Sequence, residues 1–190
     1  MRITVAITGA SGAIYAERLV RALVAEQRVE HIYIVYSKSG GQVFAGERNG
    51  LTVASLAAES AKTELLANDN FYTSIASGSA AADAMVVVPC SVGTLGRVAS
   101  GVSSSLIERA AAVQLKEDLP LVMVVRETPL SLIDLRNMIT VRRAGAVVMP
   151  ASPSFYSMPS TIEELVDTVV ERILDKISLK SKKKYRWSEK

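Results

Sequence analysis

Apolar residues gather along the chain in short, nearly continuous runs: Ile3–Ile7, His31–Tyr36, Ala84–Val88, Leu121–Val125 and Ala146–Met149. A half-exposed strand alternates apolar and polar residues, so unbroken runs of this length predict strands buried on both faces of a parallel sheet. Between them apolar positions recur at helical spacing. Over Ile14–Ala25, Ile14, Leu19, Leu23 and Val24 form one stripe. Ser103–Lys116, "SSSLIERAAAVQLK", opens on good N-cap residues and is rich in alanine. Ser160–Ile177 begins "STIEEL", an N-cap followed by early acids, with Leu165, Val169, Ile173 and Leu174 on one side. Alternating strand and helix units predict an α/β, doubly wound parallel sheet in three αβα layers with right-handed crossovers. A chain of 190 residues suits one domain, taken as 1–178 with a basic tail over 179–190. Residues 48–82 give no clear pattern.

In open sheets of this kind ligands bind beyond the carboxyl ends of the strands. The segments following the predicted strands are "TGASG" (8–12), "SKSGG" (37–41), "PCSVGT" (89–94), "RETPL" (126–130) and "PASPSFY" (150–156). Hydroxyls, a Lys, an Arg, a Glu and rigidifying prolines recur there. Any one such loop needs only the residues that turns favour; five on one edge suit a phosphate and its attached ring.

Composition narrows the class. Hydrophobic residues make up 49% of the chain, charged residues 22%, and the mean hydropathy is +0.24, which predicts surface reserved for other subunits. The net charge of +3 owes much to "KSKKKYRWSEK" (180–190), with six Lys/Arg against one Glu; such a run reads as a solvated terminus. Aromatics at 5% are too few for a base-stacking platform, so no nucleic acid is expected. One cysteine, no secretory leader and no apolar stretch of roughly 18 residues lead to the expectation of a cytoplasmic protein without membrane or disulfide.

The opening strand, turn and helix resemble a dinucleotide site, but the spacing argues against one. Gly9 and Gly12 form G-x-x-G, not the three-glycine fingerprint, and the second strand ends in Tyr36, Ser37 and Lys38 rather than an acid for a ribose hydroxyl. Lys38 could meet a 2′-phosphate, yet Ala13 stands where a short-chain reductase turn needs glycine, and no tyrosine has a lysine four residues on. A mononucleotide remains, with Ser11 and the N–H groups of the first helix expected at its phosphate. His31 is the sole histidine and lies in a strand, so neither a His-based triad nor a metal cluster is expected. Cys90 reads as a buried, inert thiol. Arg109 and Lys116, seven apart, share one helical face and could point at an anion. Arg126 and Glu127 leave a buried strand directly for the ligand edge, where such a pair can hold or move a proton. Arg172 lies between Val170 and Ile173, and an ion pair with neighbouring acids would also explain it.

Taken in order, "TGASGAIYAERL", "SKSG" with Glu47 beyond it, "ASGS" (76–79), "VVPCSVGTL" (87–95), "IERAAAVQLKE" (107–117), "PLVMVVRETPL" (120–130) and "GAVVMPASPSFY" (145–156) resemble the UbiX-type flavin prenyltransferases over nearly the whole chain. The match departs at 48–75, where Phe71 stands near a position at which the family often has tryptophan. The resemblance implies a flavodoxin-like or Rossmann-like subunit, metal-independent, that joins dimethylallyl phosphate to reduced FMN and supplies prenylated FMN to UbiD-type decarboxylases. It further implies a homo-oligomer, a dodecamer being one expectation. On the matching motifs it places Gly9, Ala10, Ser11, Ser37, Ser91, Val92, Gly93, Thr94 and Arg126 at the flavin. Tyr156 and Arg172 fall at the prenyl phosphate, with Arg109 and Lys116 adding positive charge. Ser11, Glu47, Lys116 and Glu127 fall at the reacting centre. Trp187 either closes the pocket or packs. A flavin-dependent cysteine decarboxylase and a non-catalytic FMN-binding subunit are the alternatives; the first uses an early histidine and an Asn-containing loop that this chain replaces with "PASPSFY".

Overall fold

The computed structural model describes residues 1–179; Trp187 and the basic run around it lie outside the described residues. Strands β1 (Arg2–Ile7), β2 (His31–Tyr36), β3 (Thr63–Leu66), β4 (Ala84–Cys90), β5 (Leu121–Val125) and β6 (Val147–Pro150) form one parallel sheet in the order β3-β2-β1-β4-β5-β6. Helices α1 (Ala13–Ala25), α2 (Lys38–Glu47), α3 (Val53–Ala58), α4 (Val92–Ala99), α5 (Leu106–Lys116), α6 (Leu132–Arg143) and α7 (Ile162–Lys176) cover it. The full order is that of the Rossmann sheet. Setting aside the short edge strand β3 leaves the flavodoxin order, so both expected descriptions hold.

Successive strand residues face opposite layers. Ile3, Val5 and Ile7 of β1 pack with Leu19 and Leu23 of α1, Phe44 of α2 and Val169 and Ile173 of α7. Ala6, with Met85 and Val87 of β4, packs instead with Leu95 of α4, Leu106 and Ala110 of α5 and Val141 of α6. Every residue of β4 and β5 is buried, which explains the unbroken apolar runs.

Several boundaries differ from the sequence expectation. The core-facing row of α1 is Ala13, Ala16, Leu19, Val20 and Leu23, flanked by half-buried Ile14 and Val24. α5 starts at Leu106 rather than Ser103, and α7 starts at Ile162 after Thr161 caps it by accepting from Glu164 N–H at 3.1 Å. β4 continues past Val88 through Pro89 to Cys90, where the register with β5 slips and Cys90 turns to the face opposite Val88; a proline is admitted to a central strand at such an irregularity. Leu179, assigned to the tail, is 1% exposed and belongs to the core. The unassigned stretch 48–82 holds α3, β3 and two short 3-10 turns, Ser74–Ala76 and Gly78–Ala80. No helix among the described residues is long and apolar enough to cross a membrane.

Leu19 has no exposed surface and sits in the layer shared by β1, α1 and α7. Leu19→Ala is expected to lower unfolding free energy by about 2–5 kcal/mol, through lost burial plus a residual cavity, with far-ultraviolet dichroism unchanged; urea titration measures it.

Candidate functional site

Because all strands are parallel, the segments after β1, β2, β4, β5 and β6 share one edge, and hydrogen bonds join them. Ser37 N–H donates to Ile7 O at 3.0 Å, Arg126 N–H to Cys90 O at 3.1 Å and Ala151 N–H to Val125 O at 2.9 Å. Thr8, 1% exposed, locks the ends of β1 and β4 together: its Oγ1 donates to Pro89 O at 2.7 Å and accepts from Ser91 N–H at 2.8 Å. These strands flank the point where the order of the sheet reverses, the usual binding crevice of the fold. Thr8 was not among the sequence candidates; its place in "TGASG" was the available signal.

Helices α1, α2 and α4 begin at this edge directly after their strands. Gly12, left-handed at φ 112°, caps α1. The α1 N–H groups, expected to meet a phosphate, are instead taken by a carboxylate of the same chain. Glu47 Oε2 accepts from Gly12 N–H at 2.9 Å and Ala13 N–H at 2.8 Å. Glu47 is the last residue of α2, and α2 packs against α1, so its side chain reaches back to the α1 start. Partial burial pushes the Glu47 carboxyl up. Bonds from the Ser11 hydroxyl and from Ala13 and Gly12 N–H, with the charge of Arg126, outweigh this and hold it below the ordinary value.

α2 begins within "SKSGG", which is therefore a helix start rather than a loop. Ser37 Oγ accepts from Gly40 N–H at 3.0 Å and lies 3.3 Å from Ser39 Oγ. A Cβ at Gly40 would stand 2.5 Å from Ile7 O, and one at Gly9 would collide with the Ser39 side chain. The first turn of any helix leaves N–H groups without intrahelical partners. Glycine at both positions lets the start of α2 pack closely against the end of β1, and there the free N–H groups and two hydroxyls make a cradle suited to an anion. Ser39 was missed, although it lies inside the quoted "SKSG". At the start of α4, Ser91 Oγ accepts from Thr94 N–H at 3.3 Å and donates to Thr94 Oγ1 at 3.2 Å. Val92 and Gly93 fill the first turn. Arg97 Nη2 donates to Thr94 Oγ1 at 3.2 Å and Arg97 Nε to the buried Glu108 at 2.5 Å, so this corner is braced from behind.

Arg126 acts on Glu47 and also on Tyr15, whose hydroxyl is pushed up by burial and partly brought back by that charge. Tyr15 Oη donates to Ala151 O at 3.4 Å. Glu127 is exposed, its Oε1 accepting from Thr128 N–H at 3.0 Å. The fold thus gathers Gly9, Ala10, Ser11, Ser37, Glu47, Ser91, Val92, Gly93, Thr94, Arg126 and Glu127 at one edge. Tyr156 and Arg172 line a groove of ≈ 700 Å³ between β6 and α7, with Ser154, Thr168 and Lys176; Arg172 lies 3.9 Å from Asp175. Lys116 is not brought to these groups within one chain, whereas Arg109 follows Glu108, which bonds Arg97 behind the start of α4. α5 packs on the sheet face opposite α7, and Lys116 ends it shortly before β5 begins, at the amino edge. Arg109 Nε donates to Ala76 O at 3.0 Å, and Lys116 pairs with Glu117 beside Gly78.

Cys90 is buried, and burial pushes its thiol up to about 12, as an inert thiol requires. His31 opens β2 with Nε2 2.9 Å from Glu64, at the amino edge away from the site. Among the described residues no group of three or more His, Cys, Asp or Glu could hold a metal ion.

Glu47 has a depressed folded-state pKa, so its ionised contacts contribute stability above the ordinary value of 4.5 and lose it as pH falls through the lower folded value. The stability difference between the protein and Glu47→Gln is therefore expected to stay constant from about pH 7 to about pH 5 and to shrink towards about pH 3. Urea unfolding at each pH checks this.

The family model described as Flavoprotein matches residues 1–174. The flavin prenyltransferase UbiX of Pseudomonas aeruginosa is 44% identical over 99% of this chain and 94% of its own. AnUbiX (PadA1), solved in complex with FMN and dimethylallyl pyrophosphate, aligns with a TM-score of 0.90 at 39% identity, covering 98% of this chain and 97% of that one. A dodecameric FMN-dependent Ubix-like decarboxylase from Escherichia coli O157:H7 aligns with a TM-score of 0.91 at 35% identity, covering 99% and 100%. The chain belongs to the Flavoprotein family and, within it, to the UbiX flavin prenyltransferases.

Proposed function

We propose that this protein is a flavin prenyltransferase that transfers the dimethylallyl group of dimethylallyl phosphate to N5 and C6 of reduced FMN, releasing phosphate. One observation carries this reading: the chain offers two separate places for a phosphate. One is the α2 cradle of Ser37, Ser39, Gly9 and Gly40; the other is the groove of Tyr156, Arg172 and Lys176. The relative solved with both FMN and a dimethylallyl donor supports two phosphate-bearing ligands.

In this reading Ser37, Ser39 and the first turn of α2 would hold the FMN phosphate. Gly9, Ala10, Ser11, Ser91, Val92, Gly93, Thr94 and Arg126 would hold the flavin. Bound reduced FMN supplies the nucleophilic N5 and C6. Tyr156 and Arg172 hold the prenyl phosphate, and fixed donors of this kind stabilise a leaving phosphate as its charge grows. Ser11 and Glu47 form a hydrogen-bonded pair that would orient groups at the reacting edge. The allylic C–O bond breaks as the bond to N5 forms, the N5 proton leaving with the phosphate. The bond to C6 forms as the prenyl double bond takes up one proton and C6 gives one up, with Glu127 or the released phosphate as the proton carrier. Arg109 and Lys116 serve the same site from another copy of the chain, since α5 and α7 cover opposite faces of the sheet. The dodecameric relative supports such an assembly. A UbiD-type decarboxylase receives the product in the cytoplasm. The cysteine decarboxylase alternative loses support because His31 pairs with Glu64 at the far edge.

Anaerobic mixing of the protein with reduced FMN and dimethylallyl phosphate should raise the flavin mass by one five-carbon unit. An unchanged flavin with folded protein overturns the reading. Lys116→Ala and Glu127→Gln are expected to retain FMN while slowing product formation by roughly 100-fold; full rates in both would show that the roles given to them are wrong.

A further inference from the structure

By composition α2 is a weak helix. "KSGGQVFAGE" has three glycines in ten residues, each unfavourable in a helix interior, and its only buried residues are Gly40 and Phe44. The chain leaves it through Asn49 (φ 51°) and Gly50 (φ 84°), both left-handed. Yet its final residue must hold a carboxylate on two N–H groups of α1. The neighbouring Arg48 shows how. Arg48 Nε donates to Glu17 Oε2 at 2.6 Å, and the other Glu17 oxygen accepts from Arg21 Nε at 3.0 Å. Arg21 Nη1 in turn reaches Glu59 Oε2 at 2.5 Å, at the end of α3. The Glu17 side chain is 10% exposed, and a carboxylate so enclosed persists as an ion only with partners such as these. Helices α1 and α2 therefore hold each other twice in opposite senses: Glu47 of α2 on the start of α1, and Glu17 of α1 on Arg48 at the end of α2.

We propose that Glu17 is a positioning residue: through Arg48 it fixes the last turn of α2 and so sets the direction in which Glu47 presents its carboxylate to Ser11, Gly12 and Ala13. The consequence for rate rests on the function proposed for Glu47; the consequence for structure does not. Glu17→Gln removes the charge at constant shape. Arg48→Gln removes the partner from the more exposed side and carries the test should the first variant fail to fold.

Hydrogen exchange on the full chain without flavin reads the structural part. Exchange at the Gly12 and Ala13 amides is expected to rise about tenfold in both variants, with β4 amides unchanged. In the prenylation assay, kcat is expected to fall about 5–20-fold with KM for dimethylallyl phosphate within about twofold, and Arg48→Lys to recover most of the loss. Adding Glu17→Gln to Glu47→Gln should cost nothing more. Unchanged exchange at Gly12 and Ala13, a loss that extends to the β4 amides, or additive losses with Glu47→Gln would each overturn the proposal. Faster exchange at Gly12 and Ala13 beside a fully active Glu47→Gln would uphold the positioning and overturn only the role given to Glu47.

Discussion

A sheet that is apolar on both faces can place polar chemistry only at its ends. Here β4 and β5 are buried throughout, and parallel pairing turns every strand the same way. Hydroxyls, carboxylates and guanidinium groups consequently collect where the strands stop. Thr8 turns that crowding into a fixed geometry by bonding the end of β1 to the end of β4. Everything assigned to the flavin stands on or beside that joint.

The same layering separates the basic residues. α7 lies in the layer of α1, and α5 in the layer of α4 and α6. A reaction that needed Arg172 and Lys116 together would need two subunits. The surface agrees with association: Leu132, Ile133 and Ile139 of α6 are 61%, 68% and 51% exposed, whereas exposed apolar faces of that extent are normally covered by a partner.

What the sequence revealed follows from which interactions are local. β1, β2, β4 and β5 were legible because burial on both faces removes polar positions, and β6, a short, partly buried edge strand, through the apolar run of "VVM". β3 was not, because "TELL" is a short edge strand with exposed Glu64 and Leu65. α6 escaped because its apolar residues face outward and only Val141 is buried, so its pattern lacks the stripe of a core-facing helix. α2 escaped through its glycines. The hydroxyl-rich strand ends were readable one by one. The contact of Glu47 with Gly12, 35 residues apart, was not, since nothing local in either segment specifies it; a helix N-terminus followed by hydroxyls looked like a phosphate site until the fold supplied its own anion. The pairing of Glu17 with Arg48 was hidden for the same reason.

That internal anion bears on turnover. On the proposed reaction the flavin is consumed and must depart altered, so the pocket is filled and emptied in every cycle. Were the flavin phosphate the only neutraliser of the positive end of α1, each departure would leave unpaired N–H groups and a helix end free to fray. With Glu47 resident there, the start of the first helix is closed by a carboxylate of the chain itself. On the proposed reaction the architecture would thereby be independent of its cargo.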